Sequence, residues 1–414
     1  MLVKEKSMLT RSRRPRRDII IPAVPTAIDE NIIKYHKERL DRLPIIMTTR
    51  TPSGQRLDWI PREAQCPQGK VATPPPSETR TTQVAGVHSM AATFEMNDLR
   101  IERGPAGTVP LLRRRFNFAD KLSSSSLKRK ARGRRSTPWN AWAHGRLPAD
   151  PAPPSGFYHC GGSAGVNPCH GCESVLGVWD PWCQNWDDHS LSQLLLLNSE
   201  NSQPPQTLEA GWDSCEQLFG DDLVHLFTYY TTNGYTADGN NVGGYNTEYS
   251  GWVQVDADVF PGSVINAVDS IGFPAYELQI KYQLSEGNWW FQAQNKWIGY
   301  YPASLFGSRP GATLGDHAEI CAFFGEVYSS LSDPSQTTTS MGSGLPGSYG
   351  WPWAAYQRDM QFQTAIGGLE LAKISVDADT PVLYDALADP LFPNYFFFGG
   401  SGIGGPHIIV YPGF

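Results

Sequence analysis

The clearest pattern in the chain is a strict alternation of apolar and polar residues in its second half. From Tyr276 to Leu284 every second residue is apolar, so five apolar side chains would share one face of an extended strand. Trp252 to Val259 alternates in the same way. A period of two is typical of a β-strand that buries one face. Both segments are therefore predicted to be strands.

Similar short apolar segments recur between turn signals. Leu226 to Thr232 and Trp289 to Gln292 are rich in the aromatic and β-branched residues that strands favour. Gly and Asn mark turns near 238–241 and 295–296, and no long segment between these strands has a helical period. Residues 157–414 are thus predicted to form an all-β domain, an antiparallel β-sandwich.

The first part of the chain has a different texture. Residues 1–27 are rich in Arg and Pro and are predicted to be disordered. Residues 28–80 are predicted to be a small structured segment, with an amphipathic helix over 28–43 and a short strand over 55–61. Residues 81–156 are rich in Ser, Pro and Arg and are predicted to be mostly linker, with a small element near 83–103.

Charge divides the chain at the same place. Residues 1–156 carry 29 Lys and Arg against 14 Asp and Glu, a net charge of +15, and residues 157–414 carry 5 against 27, a net charge of −22. Because opposite charges attract, the basic front is expected to dock on the acidic body. The basic runs fit a nucleic-acid or nuclear-import patch and also a solvated linker, and the linker is favoured. The scarcity of Lys and Arg in the body argues against nucleic-acid binding there.

The sequence carries little sign of targeting. No apolar run reaches membrane-spanning length, and Ile19-Ile20-Ile21 is too short for the core of a signal peptide. No membrane association is therefore expected.

Four of the seven cysteines lie close together in the sequence. Cys160, Cys183 and the segment Cys169-His170-Gly171-Cys172 fit two disulfides in a secreted protein, a zinc site, or free thiols. Disulfides are the favoured interpretation. The odd number leaves at least one thiol unpaired in a monomer.

Common catalytic motifs are missing from the sequence. It contains no Gly-x-Ser-x-Gly, phosphate-binding loop, His-Glu-x-x-His or dinucleotide-binding fingerprint. Histidine is scarce in the body, so a pair of carboxylates is the economical choice for acid–base chemistry. Composition alone cannot select that pair from the 27 acidic residues of the body.

Seven motifs in the body, taken in order, carry more information. They are Leu208-Glu209-Ala210-Gly211-Trp212, Leu226-Phe227-Thr228-Tyr229-Tyr230-Thr231, Glu286-Gly287-Asn288-Trp289-Trp290, Gly299-Tyr300-Tyr301-Pro302-Ala303-Ser304-Leu305-Phe306, Gly325-Glu326-Val327-Tyr328, Met341-Gly342-Ser343-Gly344 and Tyr395-Phe396-Phe397-Phe398-Gly399-Gly400. Together they resemble the neprosin family of plant and microbial glutamic peptidases. The resemblance spans about residues 158–400, and Gly54 to Pro61 resembles the family's activation-peptide domain more weakly.

The resemblance implies a β-sandwich endopeptidase with two catalytic glutamates, matched by Glu209 and Glu326. It also implies a preference for cleavage at proline, synthesis as a zymogen, secretion to the extracellular space, and no metal or organic cofactor. Two carboxyls close together cannot both ionise cheaply, so one would act as base and one as acid, with greatest activity in acid. The chain departs from plant members because two expected cysteine pairs are missing, one in the 238–250 loop and one where Leu383 stands.

Several residues of these motifs are candidates for substrate binding. Aromatic side chains could stack on a proline ring, Gln292 could hydrogen-bond in a cleft, and a glycine-containing loop could approach a substrate closely; besides Gln292 the candidates are Trp212, Tyr229, Trp289, Trp290, Tyr300, Met341, Gly342 and Ser343. For each of them a role in the core, on the surface or in a turn is an open alternative. Trp289 and Trp290 must point to opposite faces of their strand.

The expected partners follow from this interpretation. They are a peptide or protein substrate and an intramolecular propeptide, in a chain expected to be monomeric. The competing hypothesis is a non-catalytic sandwich that binds cell-wall material or carbohydrate, since aromatic clefts also suit sugars. Retention of the basic front would instead favour a nuclear protein.

Overall fold

The computed structural model describes residues 42–66, 69–76, 89–113, 156–199, 205–232, 243–247, 251–269, 271, 275–307 and 313–405. The predicted helix over 28–43 and the linker prolines beyond 113 therefore lie almost wholly outside the described residues. The regular secondary structure of these residues is nearly all strand, apart from a one-turn helix at Glu216–Phe219 and short 3-10 helices. The predicted all-β class is confirmed. Among the described residues, no helix is long and apolar enough to cross a membrane.

The front of the chain forms a small antiparallel sheet of its own. Its strands are β1 (Met47–Arg50), β2 (Arg56–Pro61) and β4 (Thr108–Arg113), in the order β1-β2-β4. The short strand β3 (Ser89–Ala91) instead pairs with a strand of the body. Residues 89–113 lie within the range predicted to be linker, and they contain both β3 and β4. Met96 and Val109 are buried, although Met90 and Leu99 are exposed, so a low apolar content did not prevent folding.

The body is a large, curled antiparallel sheet. Ten strands run in the order β10-β13-β12-β11-β5-β14-β6-β7-β8-β9. Their bounds are β5 (Phe157–Gly177), β6 (His189–Asn198), β7 (Gln206–Ser214), β8 (Val224–Thr231), β9 (Gly243–Tyr245), β10 (Val253–Gln254), β11 (Ala275–Ser285), β12 (Asn288–Ala293), β13 (Lys296–Pro302) and β14 (Ala318–Tyr328). The later strands branch from this path and are β15 (Ala355–Thr364), β16 (Leu369–Leu371), β17 (Asp377–Ala378), β18 (Asp385–Ala388) and β19 (Phe396–Gly399).

The curl of the sheet produces the two layers of the fold. Six strands lie between β8 and β13 in the strand order, yet Tyr230 and Tyr301 have ring centroids 5.0 Å apart. The Thr228 and Tyr301 hydroxyls are also hydrogen-bonded at 2.9 Å. The main core lies between the layers and contains aromatic residues of both, among them Trp212 and Trp289.

The alternating pattern predicted β11 well and β10 poorly. β11 is Ala275–Ser285, close to the predicted segment, whereas β10 covers only Val253–Gln254 of the predicted Trp252 to Val259. The reason lies in Asp256, whose Oδ1 accepts the backbone N–H groups of Asp258 and Val259, both at 2.8 Å. Such a local turn competes with strand pairing. It ends β10 although the apolar alternation continues.

Candidate active site

Glu209 and Glu326 lie on the same face of the main sheet. Glu209 on β7 pairs with Leu195 on β6, which pairs with Ala322 on β14. Glu326 on β14 pairs with Leu191, four residues before Leu195 on β6. Directly paired residues and those two or four apart share a face of a sheet. Strand β6 therefore separates the two glutamates, with backbone offsets of about 10 Å across the strands and about 13 Å along them.

Both carboxylates are fully buried, at 0% exposure. The opposite face of β6, β7 and β14 packs into the main core through residues such as Leu194, Ala210 and Phe323. The glutamate face instead carries two smaller apolar clusters, one around Leu191 and one around Leu195. A buried face with carboxylates set between apolar clusters is unusual for a purely structural sheet, because burying a charge without compensation is costly.

Gln193 occupies the part of this face between the two glutamates. It lies on β6 opposite Gly211 on β7 and Phe324 on β14. Its side chain is fully buried, and neither its Nε2 nor its Oε1 has a hydrogen-bond partner within the described part of the chain. Buried amides are nearly always hydrogen-bonded in folded proteins. An unpaired amide at this position is therefore a candidate functional group that the sequence motifs did not reveal.

Two histidines hold the carboxylate of Glu326. His159 Nε2 lies 3.1 Å from Glu326 Oε2, and His189 Nε2 lies 3.0 Å from Glu326 Oε1. His159 is paired with Glu326 in the register of β5 and β14, and His189 lies on β6 opposite Tyr328, two residues further along β14. Each oxygen of the Glu326 carboxylate thus lies within hydrogen-bonding distance of a different imidazole.

Asp379 lies behind His159 and completes the network. Its Oδ2 is 2.6 Å from His159 Nδ1 and accepts the His159 backbone N–H at 3.1 Å. The Asp379 backbone N–H in turn donates to the His159 carbonyl at 3.0 Å. Short strand β17, which pairs with β5 at Cys160 and Gly161, brings Asp379 to this position. The imidazole of His159 is therefore held between two carboxylates.

These contacts determine the charge of His159. Burial alone would lower the pKa of His159, but the charge and hydrogen bond of Asp379, with those of Glu326, outweigh it and raise the pKa to about 9. His159 is thus an imidazolium at neutral pH and donates from both ring nitrogens. Since this pKa lies above the ordinary value near 6.5, the network adds stability that is fully present below about pH 6.5 and is lost as pH rises through about 9.

Glu209 has a different environment. Its Oε1 accepts a hydrogen bond from the Thr207 hydroxyl at 2.9 Å. Tyr229 on β8 is paired with Glu209 in register, and Tyr245 on β9 is paired with Tyr229. A neutral hydroxyl stabilises a carboxylate less than an imidazolium does. The contact of Glu209 with Thr207 is thus with a neutral group, whereas Glu326 contacts the charged imidazole of His159.

A known protein family matches this part of the chain. A sequence model of the Neprosin family matches residues 186–401, which is more than half of the chain and includes Glu209, Gln193 and Glu326. The chain belongs to the Neprosin family. Membership assigns it to a family of peptidases, so its general activity is peptide-bond hydrolysis.

Solved structures similar to this neprosin-family chain are distant. Scytalido-glutamic peptidase with a transition state analog inhibitor has 8% identity and a TM-score of 0.33, covering 59% of this chain and 97% of its own. SCP-B, a member of the Eqolisin family of peptidases, has 10% identity and a TM-score of 0.30, covering 59% of this chain and 96% of its own. A structure titled for endo-acting O-glycanases of human gut microbiota has 9% identity and a TM-score of 0.24, with 56% and 58% covered. Similarities at these scores carry no argument about mechanism.

Of the aromatic residues proposed to bind substrate in this family member, Tyr229 lies on the glutamate face. Trp212 and Trp289 lie in the main core instead. Their indole N–H groups donate to the carbonyls of Gly177 at 2.8 Å and Leu314 at 2.6 Å. The structure thus gives these two tryptophans a clear packing role, and their role in substrate binding stays a prediction.

The predicted residues on β12 and β13 form a separate group. Trp290 and Tyr300 have ring centroids 4.6 Å apart and pack in a cluster with Trp297, against which residues of the front segment lie. Gln292 is buried on β12 opposite Lys281 of β11. None of these is paired in register with either glutamate.

The loop from Met341 to Ser343 lies on the core side of β14. Met341 is fully buried in the main core and its N–H donates to Gly400 at 2.8 Å. A Cβ on Gly342, whose φ is +59°, would lie 2.3 Å from the Ala355 Cβ and 3.7 Å from the ring of Phe398, and that ring covers Gly325 beside Glu326. Ser343 Oγ accepts the N–H of Leu345 at 3.1 Å. Here the glycine permits tight packing behind β14.

The cysteines differ from the favoured expectation. All seven are free thiols, so the predicted disulfides within residues 160–183 are not formed. Cys169 lies 3.3 Å from Cys321, measured between sulfur atoms, rather than beside Cys160 or Cys183. Cys160, Cys169 and Cys172 lie on the single extended strand β5, whose rise of about 3.3 Å per residue keeps Cys160 far from the other two. Within the described residues, no group of three or more His, Cys, Asp or Glu side chains is arranged to bind a metal.

Proposed function

We propose that this chain is an acid-active glutamic endopeptidase, made as a zymogen, in which Glu209 and Glu326 carry the chemistry. The observation that carries the proposal is the placement of two fully buried glutamates on one sheet face, in unlike environments. A preference for proline at the cleavage site, secretion to the extracellular space and a monomeric state belong to the same proposal and follow from the family.

The proposed mechanism uses one ionised and one protonated carboxyl. Glu326, held as an anion, takes a proton from water as the water oxygen bonds to the scissile carbonyl carbon. Protonated Glu209 donates a hydrogen bond to the carbonyl oxygen and then a proton to the leaving amine as the carbon–nitrogen bond breaks. At the separation found, the two carboxyls act through the water and peptide between them.

Gln193 is proposed to assist the transition state. Gln193 is on β6, between the two strands that carry the glutamates. Its side-chain amide is unpaired within the described residues. An amide donor aimed at a developing oxyanion in a buried site typically contributes about 10²- to 10³-fold to the rate. Gln193 would therefore serve the same carbonyl oxygen that Glu209 polarises.

The front segment is proposed to be an intramolecular propeptide. The Ala72 N–H donates to the Tyr300 hydroxyl at 3.2 Å, and Gln65 exchanges hydrogen bonds with the backbone of Gln254 at 2.8 and 2.9 Å. Arg103 forms an ion pair with Asp258 at 2.8 Å, in the sense that the opposite net charges favour. These contacts cover the Trp290 cluster, so within the described residues this cluster is not open to a carbohydrate.

Activity is expected to be greatest in acid and lost near neutrality. As pH rises, the fraction of chains in which Glu209 is protonated falls. The −22 charge of the body favours protonated carboxyls, so it does not change the direction of this pH dependence. The test is kcat/KM from about pH 3 to about pH 8 on a quenched peptide containing proline, a range that brackets free carboxyl titration. A flat profile across the range would exclude an acid–base pair of glutamates.

Self-activation is expected when the chain is acidified. Protonation of the acidic body weakens its attraction for the basic front, whose Lys and Arg stay charged, and the linker becomes accessible. The prolines at 138, 148, 151, 153 and 154 then match the proposed specificity. N-terminal sequencing should show a new terminus within 137–156 for wild type and none for Glu209→Gln. The same cut in both proteins points to another protease at Lys128-Arg129 or Arg134-Arg135, and an intact, fully active chain excludes a zymogen.

A further inference from the structure

The contacts of Glu326 distinguish the roles of the two glutamates. Each of its oxygens faces an imidazole Nε2, from His159 at 3.1 Å and from His189 at 3.0 Å. The three residues are on β5, β6 and β14, which are adjacent in the sheet. All three side chains are buried, at 6%, 1% and 0% exposure. A carboxylate that accepts two N–H donors in a buried site is strongly favoured over its protonated form.

Other titratable groups lie around this network. Asp379 is bonded to the far side of His159, at 2.6 Å. Asp213 on β7 is paired with Leu191, one strand beyond Glu326, and itself pairs in register with His225 on β8. The network nearest to Glu326 therefore contains two carboxylates and the His159 cation, with His189 as a further donor. Without His159, no positive charge would lie between the carboxylates of Glu326 and Asp379.

We propose that His159 and His189 are positioning residues that hold Glu326 in its carboxylate form, and that Asp379 keeps His159 charged so that it can do so. This inference rests on the proposed glutamic peptidase function and makes Glu326 the base and Glu209 the acid. None of the seven motifs quoted above contains these residues. The effect of the network is to favour the ionised form of the base.

The first test is the pH dependence of kcat/KM in acid-activated enzyme carrying His159→Gln or Asp379→Asn. Glutamine retains an amide donor but no charge, so Glu326 accepts a proton at higher pH. The acidic limb of the profile is expected to move upward by about one pH unit or more, as expected when an opposite charge within hydrogen-bonding distance is lost. The alkaline limb, set by Glu209, stays in place. His170→Gln, on the same strand but only partly buried, is the control and leaves both limbs unchanged.

A merely structural role would lower the rate equally at every pH. Such a uniform loss, or an unmoved acidic limb with normal rates, overturns the proposal.

A second test uses no variant and no activity. With ¹⁵N-labelled histidine in the intact chain, both ring nitrogens of His159 should carry protons at pH 7.5, and this state should titrate near pH 9. A neutral His159 at pH 7.5 overturns the proposal whether or not the protein cleaves peptides. A charged His159 in a chain with no peptidase activity would instead leave the histidine network standing and refute the proposed function.

Discussion

Replacing Glu326 with glutamine should lower kcat/KM by about 10³-fold or more, while the protein remains folded. General acid–base groups typically contribute 10²- to 10⁴-fold, and glutamine preserves the shape of the side chain without its basicity. Glu209→Gln should cause a loss of similar size, since its amide can still accept from Thr207 but cannot donate a proton to the leaving amine. The measurement is steady-state cleavage at the optimum pH, with circular dichroism to establish folding.

Glu319 provides the matched control for this pair of variants. It lies on the same strand, seven residues before Glu326 and hence on the opposite face, and it accepts the Ser199 N–H at 2.8 Å. Glu319→Gln should retain activity. If Glu319→Gln were inactive and Glu326→Gln active, the base would have been assigned to the wrong glutamate.

Arg358→Met should destabilise the folded state by about 3–5 kcal/mol, the usual cost of leaving one partner of a buried ion pair without the other. Arg358 on β15 binds both oxygens of Glu277 on β11, with distances of 2.7 Å from Nε and 2.6 Å from Nη2. The two side chains are only 6% and 8% exposed. The Tyr356 hydroxyl also donates to Glu277, at 2.8 Å. The measurement is the free energy of unfolding from urea titration at neutral pH.

The double variant Arg358→Met with Glu277→Gln tests the cause of that loss. If an uncompensated carboxylate is responsible, removal of its charge should restore a large part of the stability, because a neutral amide is far cheaper to bury. A loss below about 1 kcal/mol in the single variant, which is the size expected for an exposed ion pair, would contradict the buried bridge.

The sequence predicted the strands best where apolar alternation was long and uninterrupted. It located β8, β11 and β12 to within a few residues because a period of two specifies both a strand and its buried face. It did not predict the early end of β10, since that depends on one side chain, Asp256, bonding to the backbone. β3 lies within the small element predicted near 83–103, whereas β4 lies in the range assigned to the linker and was not predicted.

The candidate site was predictable only in part for a similar reason. Glu209 and Glu326 lie in motifs that a family shares, so the sequence could single them out. His159 and Asp379 are separated by 220 positions, and only the pairing of β17 with β5 brings them together. Gln193 is one of several polar residues of the buried strand β6, and the sequence alone does not distinguish a functional amide from a structural one.

The most direct test of the central claim is digestion of a peptide library by acid-treated protein, run in parallel with wild type and Glu209→Gln and analysed by mass spectrometry. The two-glutamate account predicts cleavage by wild type, enriched at proline, and no cleavage above background by Glu209→Gln in its folded form. Equal cleavage by the two proteins, or no cleavage by wild type whose front segment has been removed, would contradict it.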